Sequence, residues 1–441
     1  MADHDHGARH AGPSHHLDGW PHVPAPQGPP PPAGPPAATD PRKHAVSPPV
    51  SVPHIGPEIG PGPMAASAGA PPAPATAVEE GPRPQPPQAV WATKGEDTRV
   101  HALSVWTERV PGHGEDAEPF VVHHWGTHQG VIAVFDGSGG AGSTPVWQGP
   151  DGTTHTSAWV GARVARLATD CWFHEVAREA EDGGPDSLHQ YLDWFLAKAP
   201  QRRSKIGGTM RRQLPTTLAA VHYQIRDDRN SLALRPLWAG DSRAYVLSPG
   251  SGLHVLTRDH TRESDALELL RSDPPMTNMI CADREFTIDT QYIASFDLPC
   301  VLVAATDGYF GYVHTPADFE YLLLRTLREA GSEYEWADLL RREVQAYTAD
   351  DASLALLAIG HRDFAQLRRA YERRFDALVE RHLRGRPAAL DRPAAGAVDA
   401  AGGPEDERET HARVRAWQDQ SWQTYRAGYE TYLPPASEER R

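Results

Sequence analysis

Between about Ala89 and His361 the sequence predicts an α+β fold, a four-layer sandwich of two antiparallel β-sheets flanked by helices. Three observations lead there. Short apolar strands come in blocks, most are joined by turns too short for a crossover helix, and the helices come in pairs rather than alternating with strands.

Val100 to Trp106, Phe120 to His123 and Val131 to Phe135 read as strands, rich in β-branched and aromatic residues and separated by glycine-containing turns. A helix follows in which Val160, Val164, Leu167 and Cys171 recur at helical spacing. A second begins near Asp186 with Leu188, Leu192 and Phe195 on one face. The next block of strands covers Thr217 to Tyr223, Leu232 to Ala239, Ala244 to Leu247, Leu253 to Leu256 and Val301 to Ala305. Thr315 before Pro316 makes a helix start, an N-cap with proline at the first helical position, for a segment ending near Ala330. Another helix is expected from Tyr334 to Tyr347, and the last strand from Ser353 to Ile359.

Residues 1–88 are crowded with Pro, Ala, Gly and His and lack apolar periodicity, so they are expected to form a disordered tail. Its histidines at 4, 6, 10, 15 and 16 read as solvated or adventitious metal binders. Beyond the folded segment, residues 362–386 predict a basic amphipathic helix with Phe364, Leu367, Tyr371, Phe375 and Leu378 on one stripe. A Pro, Ala and Gly-rich linker is expected at 387–409. Residues 410–441 then predict a terminal helix and tail carrying Trp422, Tyr425, Tyr429 and Tyr432, which either packs back on the folded segment or meets a partner.

A formal charge of −15 argues against nucleic acid as the partner, because binding that backbone relies on clustered Lys and Arg. Cys171, Cys281 and Cys300 fit neither a disulfide framework nor a zinc pattern and read as reduced thiols of a cytoplasmic protein. No apolar run reaches the roughly 18 residues that span a bilayer, and the amino terminus lacks a signal-peptide core, so no membrane partner is expected.

The chemistry concentrates where apolar strands end. In Val134-Phe135-Asp136-Gly137-Ser138-Gly139-Gly140 a strand delivers a carboxylate into a glycine turn that lets a backbone carbonyl approach the same ion. Ala305-Thr306-Asp307-Gly308 repeats the arrangement, and Asp350-Asp351-Ala352-Ser353 stands just before the final strand. Hard oxygen ligands at separate strand ends suit a Mg²⁺ or Mn²⁺ cluster. Between them lie Pro215-Thr216-Thr217-Leu218, Gly240-Asp241-Ser242-Arg243-Ala244-Tyr245 and Leu256-Thr257-Arg258-Asp259-His260.

Taken in order, these six landmarks resemble the type 2C metal-dependent serine/threonine protein phosphatases of bacteria, over about residues 95 to 361. The resemblance implies a centre of two Mn²⁺ or Mg²⁺ ions between the central sheets and no covalent enzyme intermediate. By position, Asp136 would bridge both ions, the Gly137 carbonyl would bind one, and Asp307 and Asp350 would hold the other. Two cations about 3.5–4 Å apart lower the pKa of a shared water and offset charge on a phosphoryl group.

The family also carries an early acidic pair. Glu115 and Asp116 are favoured by their spacing to Asp136, and Glu96 and Asp97 are the alternative. Where the family usually has a phosphate-binding arginine, four positions before the glutamate, this chain has Pro111; Arg109, two residues earlier, is the candidate to replace it. Asp241 would contribute to a weak third metal site, because the family's further aspartate is Gly311 here. The implied activity is hydrolysis of phosphoserine and phosphothreonine on proteins, opposing a Ser/Thr kinase, with a kinase or regulator as a possible partner of the C-terminal helices. A pseudophosphatase that binds phosphoproteins without turnover is the alternative.

Overall fold

The computed structural model describes residues 88–92, 99–179, 183–201, 211–272, 274–387, 390 and 404–436. The tail up to residue 87 with its histidines, the pair Glu96 and Asp97, and residues 391–403 of the expected linker lie outside the described residues.

Along the chain, β1 (Gln88–Ala92), β2 (Val100–Thr107), β3 (Phe120–His124) and β4 (Gln129–Val134) lead into a one-turn helix α1 (Gly139–Gly142). A small hairpin, β5 (Pro145–Gln148) and β6 (Thr154–Thr156), follows, then the helices α2 (Ser157–Ala177) and α3 (Pro185–Lys198). Next come β7 (Leu218–Ile225), β8 (Ser231–Ala239), β9 (Arg243–Ser248), β10 (Gly252–Val255), α4 (Ala266–Arg271), β11 (Asp289–Thr290), β12 (Ile293–Asp297) and β13 (Cys300–Ala305). The short α5 (Asp307–Phe310) precedes α6 (Pro316–Glu329), α7 (Glu333–Tyr347), β14 (Ala352–Ile359), α8 (Phe364–Leu378), a π-helical turn at Val379–Leu383 and α9 (Pro404–Tyr429).

Two antiparallel sheets form the centre. One has the order β1-β2-β14-β13-β9-β10 and the other β11-β8-β7-β4-β3, with β12 also paired to β8. Strand alternation builds three apolar layers at once. On β14, Ala355, Leu357 and Ile359 meet the opposite sheet, while Leu354, Leu356 and Ala358 meet α6, α7, α8 and α9. The second sheet turns Val131, Ala133, Ala220 and Leu237 towards α2 and α3. Strands buried on both faces are apolar throughout, which is why β13 reads CVLVAA without a polar residue. Truncating one such side chain, Leu357→Ala, is expected to cost about 2–5 kcal/mol. The fold is the α+β sandwich of two antiparallel sheets flanked by helices.

Caps and small residues explain the helices. Thr315 and Asp318 form a capping box at the start of α6, Asp318 Oδ2 accepting from the Thr315 amide at 2.9 Å and from its hydroxyl at 3.1 Å. The buried face of α2 is phased differently from the Val160, Val164, Leu167, Cys171 stripe. Val160 is buried and Val164 partly so, but Leu167 is 49% exposed, and the buried face runs chiefly through Ala158, Ala162, Ala165, Ala168, Thr169 and Trp172. Small side chains let α2 lie close to the sheet, and a count of large apolar residues misses that face. In α8, Phe364, Leu367, Tyr371 and Leu378 are buried as the stripe requires, with Phe375 packed partly buried beside them.

The terminal helix starts at Pro404, inside the stretch read as linker, and Tyr432 lies just past its end. Its Trp422, Tyr425 and Tyr429 are buried against α6, α8 and the first sheet. The three cysteines are free thiols. No described helix is long and apolar enough to cross a membrane.

Candidate active site

Five aspartates converge where strands of the two sheets end. Asp136 follows β4, Asp241 lies between β8 and β9, Asp307 opens α5 directly after β13, Asp350 precedes β14, and Asp116 comes from the loop before β3. Asp241, Asp307 and Asp350 line a cleft of about 310 Å³. The carboxyl of Asp136 is held well above the ordinary carboxylate range, first by removal from water and then by the charges of Asp116, Asp307, Asp241 and Asp350. Asp116 and Asp241 are raised in the same way, by burial first and then chiefly by Asp351 and Asp307 respectively. Carboxylates gathered this closely are an arrangement that a divalent cation would neutralise.

Hydrogen bonds to neighbouring threonines and serines fix the end of β4, the turn after β8 and Asp116. The Asp136 carbonyl accepts from the Thr217 amide at 2.8 Å and from the Thr216 hydroxyl at 2.7 Å, and the Thr217 hydroxyl pairs with that of Ser242 at 2.6 Å. This chain of contacts ties the end of β4 to the turn that carries Asp241. Across the site, Thr306 donates to Asp116 Oδ2 at 3.0 Å and accepts from the Ser353 amide at 2.8 Å. The Thr-Thr-Leu and Gly-Asp-Ser stretches thus act through backbone registration as much as through their own side chains.

Glu115 and Asp116 both stand at the cluster. Asp116 is 2% exposed. Glu115 receives the Thr156 hydroxyl on Oε1 at 2.5 Å, and its carboxyl is raised by burial, an effect opposed by that hydrogen bond and reinforced by Asp351 and Asp350. Thr156 also caps α2 through the Trp159 amide at 3.1 Å. Gly137 belongs beside them because a Cβ there would meet the Glu115 carbonyl at 2.5 Å and the Ala158 carbonyl at 2.9 Å. Gly308 is held the same way, since a Cβ there would collide with the Asp351 carbonyl.

Two residues not singled out by the sequence organise this pair. Asp351 accepts the Arg109 amide on Oδ1 at 2.8 Å and the Glu115 amide on Oδ2 at 2.6 Å, pinning both ends of the loop between them. Its signal was present in the Asp350-Asp351 doublet. Arg163 of α2 stacks 3.9 Å over Trp159 and donates to the carbonyls of Glu115 at 3.3 Å and Gly114 at 3.4 Å. Burial lowers its guanidinium to about 10, against the pull of Asp116 and other nearby carboxylates. Only the fold brings it there. The Arg109 side chain is exposed, and its backbone amide makes the contact with Asp351.

Arg243 lies between the cleft and the core, clamped to Asp259 by bonds of 2.8 and 2.7 Å and 4.3 Å beneath Phe310. Gly311 has φ −73°, so no left-handed conformation demands glycine there, although a Cβ would meet the Asp307 carbonyl at 2.7 Å.

The donor set fits a hard divalent cation. It is all carboxylate and carbonyl oxygen, its neighbouring carboxylates raise the pKa of Asp136, and the enclosed Oδ1 of Asp241 finds no hydrogen-bond partner among the described residues. Among the described residues, no three His, Cys, Asp or Glu side chains already stand close enough to enclose an ion.

No protein-family model matches the sequence, and no curated protein matches it. Solved structures do. A bacterial serine phosphatase is similar at 16% identity over 59% of this chain and 98% of its own, with a TM-score of 0.41. The serine/threonine phosphatase Stp1 from Staphylococcus aureus is 16% identical over 58% of this chain and 94% of its own, with a TM-score of 0.39. The serine/threonine phosphatase PstP/Ppp of Mycobacterium tuberculosis is 15% identical over 59% and 99%, with a TM-score of 0.38.

Proposed function

We propose that residues 89–361 hydrolyse phosphoserine and phosphothreonine esters on proteins with the help of two Mn²⁺ or Mg²⁺ ions, in the cytoplasm and in opposition to a Ser/Thr kinase. The observation that carries this reading is the gathering of Asp116, Asp136, Asp241, Asp307 and Asp350 at one rim of the two-sheet core, three of them on an open cleft.

In this reading Asp136, the Gly137 carbonyl, Asp307 and Asp350 hold the two ions, Glu115 and Asp116 complete the set, and Asp241 serves a weak third site. When bound, the ions supply electrostatic stabilisation of the phosphoryl oxygens and acidify water in the site. The chain's own part is positional. Thr306 and Ser353 orient Asp116, Thr156 orients Glu115, and the Asp351 carboxylate fixes the loop that carries both. Because the cluster sits at the ends of rigid, doubly buried strands, its geometry needs little reorganisation on binding substrate.

A second reading, a phosphoprotein-binding module without turnover, is favoured by the exposed position of Arg109, which is not among the residues that line the cleft. Hydrolysis of an aryl phosphate and a phosphothreonine peptide by the purified chain, with and without Mn²⁺, separates the two. Turnover that needs Mn²⁺ and is lost in Asp136→Ala supports the enzyme; binding of the peptide without turnover supports the module.

A further inference from the structure

Two arginines line the cleft, and they are held very differently. Arg243 is committed to Asp259, both side chains being about 5% exposed, in a bidentate pair that a ligand cannot compete with cheaply. Arg271, the last residue of α4, instead shares its guanidinium among three surface acceptors. It donates to Glu268 Oε1 at 2.6 Å, to Asp419 Oδ1 at 2.7 Å and to Gln418 Oε1 at 3.3 Å. The Glu268 and Asp419 side chains are each 49% exposed, so water already competes for them. The enclosed Nε of Arg271 finds no hydrogen-bond partner among the described residues.

We propose that Arg271 binds the phosphoryl group of the substrate in this cleft, and that Asp419 of α9 is the anion it exchanges for that group. The inference rests on reading the cleft as a phosphoester site. A tetrahedral dianion offers several acceptor oxygens in place of one carboxylate oxygen, and planar guanidinium is the side chain best shaped to take two of them. The same cleft is lined by Asp241, Asp307 and Asp350, so a phosphoryl group held by Arg271 shares it with the carboxylate cluster. Arg271 thereby fills the role that Pro111 vacates and exposed Arg109 does not reach from the cleft lining.

The exchange makes α9 part of the site. The same helix grips the other end of α4, where Trp422 Nε1 and Arg426 donate to Asp265 Oδ2 at 3.1 and 2.8 Å, and Asp265 is the residue that caps α4. A substrate that takes Arg271 from Asp419 loosens one of these two attachments and leaves the other.

The test is calorimetric titration of the full chain with orthophosphate in Mg²⁺-containing buffer, for wild type, Arg271→Ala, Arg271→Lys and Asp419→Asn. Removing a charge-assisted donor should weaken binding about tenfold or more in Arg271→Ala. Arg271→Lys should recover part of the loss, and Asp419→Asn, which removes the competitor, should bind more tightly than wild type. An ion pair that served only structure would shift Arg271→Ala and Asp419→Asn in the same direction, and that result overturns the proposal, as does wild-type protein that binds no orthophosphate. Should Arg271→Ala fail to fold, the opposite shifts expected of Arg271→Lys and Asp419→Asn decide the matter. Orthophosphate binding that depends on Arg271 in a chain without hydrolytic activity would leave this assignment standing and remove the proposed function; hydrolysis with binding indifferent to Arg271 would do the reverse.

Discussion

Tyr425 of α9 donates its hydroxyl to Oε2 of Glu320 at 2.6 Å, while Arg374 of α8 clamps the same carboxylate with bonds of 2.6 and 2.7 Å. Glu320 is fully buried, so one carboxylate of α6 holds both C-terminal helices. Removing it strands a guanidinium and a phenol in the core. Glu320→Ala is expected to destabilise the chain by about 3–5 kcal/mol, read by urea unfolding. A loss within the error of the extrapolation would mean that apolar packing of Trp422 and Tyr429 alone seats α9.

Gly137→Ala tests how closely the acidic loop must approach the end of β4. The added methyl meets the Glu115 and Ala158 carbonyls, and backbone oxygen cannot rotate aside as a flexible side chain can. A shift of about 1 Å in the loop is expected to lower turnover roughly a hundredfold. The accompanying destabilisation should stay near 1–3 kcal/mol. Unchanged turnover would show that Glu115 and Asp116 need not be held in place.

Substitution of the acidic pairs follows from the same geometry. Glu115→Ala and Asp116→Ala are each expected to weaken metal-dependent activity more than Glu96→Ala or Asp97→Ala, in parallel titrations with Mn²⁺. The reverse ranking would transfer the early acidic pair to the residues upstream of β2.

His361 governs part of the acid stability. It is fully buried, neither ring nitrogen has a partner among the described residues, and burial lowers its pKa from 6.5 to about 4. The unfolded chain therefore binds a proton near pH 6.5 that the folded chain refuses until about pH 4. The stability associated with neutral His361 is complete above pH 6.5 and is lost as pH falls through that window, about 3 kcal/mol in all. His361→Leu should flatten the dependence of unfolding free energy on pH between 6.5 and 4. It should cost little at pH 7, since an apolar group replaces unpaired nitrogens. An undiminished slope would place the proton uptake elsewhere, with His222 and His123 the next groups to examine.

Much of the candidate site is legible because doubly buried strands are written as mostly apolar runs, and the carboxylates that end them stand out. Asp136, Asp307 and Asp350 were found that way. Arg163 and Arg271 were not, since an arginine on a helix reads as solvated until the fold shows what its guanidinium meets. The hairpin at 145–156 and the short α4 escaped for want of periodicity, being too short to repeat an apolar face. The buried side of α2 escaped because alanines carried it, and the start of α9 because its first turns, at Pro404, follow a Pro, Ala and Gly-rich stretch.

The central claim is that the converging aspartates form a metal-dependent phosphoester site, and the most direct measurement is hydrolysis of p-nitrophenyl phosphate and a phosphothreonine peptide by the purified full chain. Activity should appear with Mn²⁺, vanish with chelator and return when the ion is restored. Asp136→Ala should abolish it nearly completely, because that carboxylate is electrostatically coupled to the other four aspartates of the cluster. Hydrolysis that persists in chelator, or in Asp136→Ala at the wild-type rate, would contradict the account.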